Sequence, residues 1–160
     1  MEQLKKLQLE APSVQVSFVH VNIGDKTSID KAVKQIVEQF QHIDVLVNGS
    51  DVLADKDVET TIAVNLVGVI HFTLSCLPWM DKSQHGKGGV VLNIASVYGL
   101  EPAPAWAVYA ASKHGVVGFT RSMADTHNFA ITGVHFICVC PGLTATEQMM
   151  HLRENVTVKH

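Results

Sequence analysis

A tyrosine and a lysine four residues apart, Tyr109 and Lys113, are the side chains of this sequence best suited to proton chemistry. They fall in a long helical segment, where residues at i and i+4 project from one face. A phenol with a pKa of about 10 is a poor acid or base at neutral pH, but a neighbouring ammonium favours its ionised form. The pair could then exchange a proton with a substrate hydroxyl or carbonyl. Ordinary surface neighbours on a helix would show the same spacing.

Two further polar residues stand where they could support this pair. Ser96 follows a buried apolar run, and its hydroxyl could hold a substrate oxygen by hydrogen bonding. Asn65 lies inside another long helical segment, where a buried amide must find partners. It could anchor a water molecule linked to Lys113.

Sequence patterns typical of strands and helices alternate along the chain. The elements that they predict must position these residues. The predicted strands are residues 14–21, 43–47, 90–95 and 134–140, and the predicted helices are 28–40, 57–80 and 107–127. Thr27 or Ser28 could cap the first of these helices, and Asp55 and Asp57 could stabilise the start of the second. The alternation predicts one α/β domain with a parallel sheet and right-handed crossovers.

Polar or turn-forming residues follow all four predicted strands. They are Asn22, Asn48, Ser96 and the pair Pro141-Gly142. Ligands of open α/β sheets bind beyond the carboxyl ends of the strands. We therefore expect a ligand site there.

The order of these residues resembles the short-chain dehydrogenase/reductase family, whose catalytic tetrad is Asn, Ser, Tyr and Lys. The resemblance covers nearly the whole chain and implies a Rossmann-like, doubly wound parallel sheet. It also implies NAD-dependent oxidation of a secondary alcohol. Residues 112–122 are similar to 15-hydroxyprostaglandin dehydrogenases, whereas residues 47–49 and 55–59 resemble insect alcohol dehydrogenases. Trp106, a candidate substrate residue, stands where the prostaglandin enzymes have a substrate-contacting glutamine.

The resemblance implies a role for each matching residue. Tyr109 would be the acid/base, Lys113 would hold the nicotinamide ribose and lower the pKa of the phenol, and Ser96 would orient the substrate oxygen. Asn65 would support the proton relay. The remaining cofactor contacts would be Val21, Asn22, Ile23, Asn48, Gly49, Pro141, Gly142, Leu143, Thr144 and Thr146.

Several features depart from the family pattern. Asp51 replaces a glycine, and a carboxylate beside the expected cofactor can repel the pyrophosphate or block its close approach. The glycine-rich phosphate turn, the first two strands and the last strand of the family's sheet find no match. We therefore expect a chain truncated at both ends, a single partial domain over residues 1–160. The strand at 14–21 either pairs with 43–47 or leaves a vacancy in the sheet.

Composition argues against other classes of partner. Twelve basic and fifteen acidic residues give a net charge of −3, which does not favour a nucleic-acid ligand. We expect no membrane span, because no window reaches the roughly 18 apolar residues it needs. The three cysteines have no framework spacing, which indicates reduced thiols in a cytoplasmic protein. The histidines lack zinc-site spacing, so we expect no metal.

Two functions remain open at this point. The tetrad favours a dehydrogenase, weakly active or inactive in this form. Asp51 and the missing turn favour a non-catalytic dimer partner or a decayed fragment. In the family two long helices pack against their copies, which implies a homodimer through helices 57–80 and 107–127. Plain core packing would give these helices the same apolar pattern.

Overall fold

The computed structural model describes Lys6 and residues 9–144. Its longer elements are α1 (Lys26–Phe40), β1 (Val45–Asn48), α2 (Val58–Trp79), β2 (Gly89–Ile94), α3 (Ala107–Met123), α4 (Thr126–Thr132) and β3 (Val134–Val139). The strands are parallel in the order β1-β2-β3, with Val47 opposite Leu92 and Leu92 opposite Ile137. This arrangement confirms an incomplete Rossmann-like α/β fold.

The predicted strand at residues 14–21 was wrong, because this segment has no regular secondary structure. Val14 and Phe18 are exposed, whereas Val21 and Ile23 pack against the core just before α1. A strand needs a neighbour to satisfy its backbone groups, and this segment does not pair with β1. The sequence left two arrangements open: this segment pairs with β1, or the outer edge of β1 is left without a partner strand. Within the described residues, the outer edge of β1 is unpaired.

The main core lies between one face of the sheet and the first two helices. Leu46, Val91 and Phe136 stand side by side across the three strands and pack with Ile29 of α1 and Cys76 of α2. Strand residues alternate between faces, so their neighbours project the other way. That second face exposes Val45, Val47, Ile137 and Val139.

Helix α1 begins two residues earlier than the sequence pattern suggested. Its N-cap is Asp25, whose carboxylate accepts a hydrogen bond from the backbone N–H of Thr27 at 2.9 Å. Ser28 instead accepts a hydrogen bond from the backbone N–H of Asn22. Asp25 is therefore the cap in place of Thr27 or Ser28, because its carboxylate accepts the hydrogen bond of a backbone N–H that has no partner inside the helix.

Helix α2 is a composite of several helical types. It is α-helical over Val58–Ile62 and Val69–Cys76, π-helical over Ala63–Gly68, and it ends in the 3₁₀ turn Leu77–Trp79. Short π segments inside α-helices occur frequently at functional sites.

By length and composition alone, α2 is apolar enough to cross a membrane, contrary to the expectation that no window would qualify. One third of the qualifying window is buried inside the described structure. Thr61, Asn65 and Thr73 are buried and hydrogen-bond to other segments of the chain.

Candidate active site

A cavity of about 260 Å³ lies at the carboxyl ends of β2 and β3. Its walls come from the loops after the three strands and from the start of α3. Many residues that the family resemblance marked for substrate or cofactor line it: Gly49, Ser96, Trp106, Tyr109, Pro141, Gly142, Leu143 and Thr144. Residues distant in sequence thus meet where open α/β sheets bind ligands.

Tyr109 and Lys113 lie on the same side of α3, and both contact Asp51 of the β1–α2 loop. The Oδ2 atom of Asp51 accepts a hydrogen bond from the Tyr109 hydroxyl at 3.0 Å. The same atom lies 3.0 Å from Lys113 Nζ. Lys113 is only 2% exposed, and its Nζ also donates to the carbonyl oxygen of Ile94 at 3.3 Å. One carboxylate oxygen therefore engages both groups.

This arrangement opposes ionisation of the Tyr109 phenol. Burial raises the pKa of Tyr109 well above its usual value, and the charge and hydrogen bond of Asp51 raise it further. A hydrogen bond with Ser96 acts in the opposite direction. The lowering of the Tyr109 pKa expected from Lys113 does not prevail over burial and the Asp51 carboxylate.

Ser96 and two aromatic rings form the wall beside Tyr109. Ser96 Oγ accepts a hydrogen bond from the backbone N–H of Tyr98 at 3.2 Å, which starts the 3₁₀ turn Val97–Gly99. The rings of Tyr98 and Trp106 lie 5.7 Å apart in a tilted arrangement. Sequence reasoning named Trp106 but missed Tyr98, because aromatic content alone does not show which loop reaches the cavity.

Asn65 lies in the π segment of α2 and is fully buried. Its Oδ1 accepts a hydrogen bond from the backbone N–H of Val52, and its Nδ2 donates to the carbonyl oxygen of Val52, each at 2.8 Å. Nδ2 also lies 3.3 Å from Ser112 Oγ. The amide therefore clamps the loop that carries Asp51, and its expected link to Lys113 through a water molecule stays a prediction.

Asp55 caps the helix that carries Tyr109. Trp106, the residue before α3, gives it no side-chain cap. Asp55 instead accepts hydrogen bonds from the backbone N–H groups of Val108 at 3.3 Å and Tyr109 at 2.8 Å. The start of α2 is capped by Asp57 alone. Sequence reasoning placed Asp55 at α2, since nothing local shows that the loop crosses to α3.

The side chain of Asn48 lies in the core and does not line the cavity, and its expected cofactor contact stays a prediction. Its Nδ2 donates to Thr73 Oγ1 at 2.9 Å and to Asn93 Oδ1 at 2.8 Å. Asn93 Nδ2 in turn donates to Thr120 Oγ1 at 2.9 Å. These four side chains form a buried polar network joining β1, β2, α2 and α3. Asn93 was missed, although an asparagine in an apolar strand signals such a network.

The expected adenine contacts also lie apart from the cavity lining. Val21 and Ile23 pack against the main core, and Asn22 Oδ1 accepts a hydrogen bond from the backbone N–H of Gly24 at 3.1 Å. Asn22 thus stabilises the turn before α1. Thr146 lies outside the described residues, so its expected contact is not described.

Comparison with known protein families gives a match over nearly the whole chain. The family of short chain dehydrogenases matches residues 1–157. The chain belongs to this family. Its relatives include the development-specific 25 kDa protein of Sarcophaga peregrina, 58% identical over 96% of this chain and 60% of the relative. Fat body protein 2 of Drosophila melanogaster is 54% identical over 100% of this chain and 62% of its own length.

Insect alcohol dehydrogenases are also among the relatives of this short-chain dehydrogenase. Alcohol dehydrogenase 1 of Ceratitis capitata is 46% identical over 99% of this chain and 60% of the enzyme. The chain therefore spans about 60% of the length of the curated relatives it matches. The chain belongs to an oxidoreductase family with alcohol dehydrogenases among its members.

Proposed function

We propose that the cavity of this short-chain dehydrogenase serves the NAD-dependent oxidation of a secondary alcohol. We further propose that the 160 residues by themselves are weakly active or inactive. The observation that carries the proposal is that Ser96 and Tyr109 line one cavity beyond the carboxyl ends of β2 and β3. Lys113 lies behind its lining, where it contacts Asp51 and the carbonyl oxygen of Ile94. These groups can hold a substrate oxygen and move its proton.

Each of the three groups has a distinct task in this proposal. The Ser96 hydroxyl holds the substrate oxygen beside the phenol. The Tyr109 oxygen, once ionised, takes the hydroxyl proton of the alcohol. The Lys113 ammonium stabilises the phenolate, provided that it is not paired elsewhere. Trp106 and Tyr98 give the carbon substituents of the alcohol an apolar wall.

The residues as they stand do not fit NAD. Lys113, the residue expected to hold the nicotinamide ribose, is bonded to Asp51, and so is Tyr109. A dinucleotide brings two negatively charged phosphates, which a nearby carboxylate disfavours. The sequence also has no glycine-rich turn for the pyrophosphate. Both features support a weakly active or inactive chain.

The residues that line the cavity also favour one class of substrate. Trp106 offers an apolar surface at the position where the prostaglandin enzymes carry a glutamine. A small secondary alcohol suits this wall better than a 15-hydroxyprostaglandin, whose polar groups would lose a hydrogen-bonding partner.

The proposal is tested with a hybrid protein. Residues 14–144 are joined to the flanking segments of Ceratitis capitata alcohol dehydrogenase 1, and NADH formation from a small secondary alcohol is followed. Four proteins are compared: the 160-residue chain, the hybrid, the hybrid with Asp51→Gly, and that variant with Tyr109→Phe. We expect oxidation by the Asp51→Gly hybrid, loss of at least about 100-fold in rate with Tyr109→Phe, and little turnover by the 160-residue chain.

Two results would contradict the proposal. Turnover by the 160-residue chain at the rate of the parent alcohol dehydrogenase would show that these residues need neither the phosphate turn nor a free Lys113. A folded Asp51→Gly hybrid without oxidation, beside an active parent enzyme, would show that the cavity does not serve this reaction.

Asp51 also supports a second candidate, a non-catalytic partner that binds a full-length relative. Helix α2 exposes Val67 and Leu74, and around Gly118 of α3 a side chain would meet open space. Family members are typically oligomeric, so these helices are the proposed dimer surface. A pull-down with a full-length relative tests this candidate, and failure of wild-type chain to bind would exclude it for that relative.

A further inference from the structure

We propose that Asp51 is a built-in block of the active site, which holds Tyr109 and Lys113 in an inactive pairing. This inference rests on the proposed function for the roles of those two groups. It goes further by assigning the inactive state of these two groups to one side chain within the described residues. The block is local, and its removal is expected to release both groups together.

The geometry places the blocking carboxylate between the two groups. Its Oδ2 lies 3.0 Å from the Tyr109 hydroxyl oxygen and 3.0 Å from Lys113 Nζ. The Asp51 side chain is 25% exposed and lines the cavity, whereas Lys113 is 2% exposed behind it. A ligand hydroxyl that approaches Lys113 from the cavity must therefore displace Asp51.

The electrostatic consequence is that neither group is ready for its proposed task. The ammonium forms its ion pair with Asp51, so it does not favour a phenolate. The phenol donates its proton to an anion, which opposes loss of that proton. The charged and polar groups around the phenol are Asp51 from the loop, Lys113 from α3 and Ser96 from the end of β2.

Two anchors that follow Asp51 in the chain, at Val52 and Asp55, hold the blocking loop in place. Asn65 of α2 binds both backbone polar groups of Val52 at 2.8 Å. Asp55 binds the first N–H groups of α3. The carboxylate is thus attached to the same two helices that carry Asn65 and Tyr109. Hydrogen bonds to two helices therefore hold Asp51 in its position.

The test is a phenol titration of the whole 160-residue chain, followed by the ultraviolet absorbance of tyrosinate. Wild type, Asp51→Asn and Asp57→Asn are compared, and Tyr109→Phe identifies the signal of Tyr109 against that of Tyr98. Asp57→Asn removes the same charge from the same loop and leaves a good helix cap. Asp51→Asn is expected to lower the Tyr109 midpoint by about 1 pH unit or more, whereas Asp57→Asn leaves it unchanged.

Equal Tyr109 midpoints in wild type and Asp51→Asn would overturn the block. Should Asp51→Asn fail to fold around its unpaired ammonium, Lys113→Met is compared with the double variant Asp51→Asn, Lys113→Met. The double variant must then have the lower midpoint, and equality again overturns the inference. A lowered midpoint in a protein whose hybrid never oxidises alcohol would support the block while contradicting the proposed function.

Discussion

The ammonium of Lys113 and the carboxylate of Asp51 lie 3.0 Å apart, with the lysine 2% exposed and the aspartate 25% exposed. The pair links α3 to the β1–α2 loop at the base of the cavity. Because a buried charge without a partner is costly, Asp51 stabilises the fold while it obstructs the site. Stability and activity are therefore expected to respond to Asp51 in opposite directions.

Removing either partner of this pair is predicted to destabilise the chain unequally. Asp51→Asn leaves the buried ammonium of Lys113 without its anion and is expected to cost about 3 kcal/mol. Lys113→Met leaves a carboxylate that water can reach, so its cost is smaller, about 1–2 kcal/mol. The double variant is expected to lose less than the sum of the two, which urea unfolding of the four proteins measures. Additive losses would show that the pair contributes no coupling energy.

The cap that Asp55 gives to α3 predicts a second effect on stability. Asp55→Ala leaves the N–H groups of Val108 and Tyr109 without their acceptor and is expected to cost about 1 kcal/mol. Asp55→Asn is expected to restore most of that loss, since an amide oxygen accepts the same bonds. Lys56→Ala, at the exposed neighbouring position, is the control for urea unfolding. A loss in Asp55→Asn as large as that in Asp55→Ala would contradict the cap.

The buried network through Asn93 predicts a larger loss. Asn93→Ala removes the acceptor of Asn48 and the donor to Thr120, and it leaves a cavity between β2 and α3. We expect a loss of about 2–3 kcal/mol in the free energy of unfolding. Gln35→Ala, exposed on α1, serves as the reference variant. Equal stability of the two variants would show that the network carries no net stabilisation.

Asp81, buried in the loop after α2, predicts a dependence of stability on pH. Burial by itself would raise the pKa of this carboxyl, but hydrogen bonds from Ser83 and Gln84 hold it below its usual value of 3.8. A lowered pKa in the folded state gives stability that is present above about pH 4 and is lost as pH falls through the folded-state pKa. Asp81→Asn is thus expected to be less stable than wild type by about 1–2 kcal/mol at pH 7. In acid unfolding curves the difference should shrink as pH falls below about 4, and a constant difference would contradict this origin.

Much of the architecture could be predicted because its signals are local or repeat along the chain. Apolar runs predicted β1, β2 and β3, and helical periodicity predicted α1, α2 and α3. The wrong strand at 14–21 has the same kind of pattern, but a strand also requires a neighbour, which no local pattern reveals.

The site was predictable only in part, because local sequence patterns do not show which distant segments meet in the fold. Ser96, Trp106 and Tyr109 reach the cavity because each lies at the end of a strand or the start of a helix. Asn48 turned inward because alternation along β1 places it on the covered face with Leu46. The two carboxylates of the loop act on α3 through contacts more than fifty residues apart in sequence, which depend on tertiary packing alone.

The most direct test of this account is the affinity for NAD of two hybrids that differ only at Asp51. Calorimetric titration compares the hybrid built on residues 14–144 with its Asp51→Gly variant, at equal ionic strength. The account predicts that the glycine variant binds NAD at least about tenfold more tightly, or about 1.4 kcal/mol. Equal affinities of two folded hybrids would contradict the claim that Asp51 keeps the site closed.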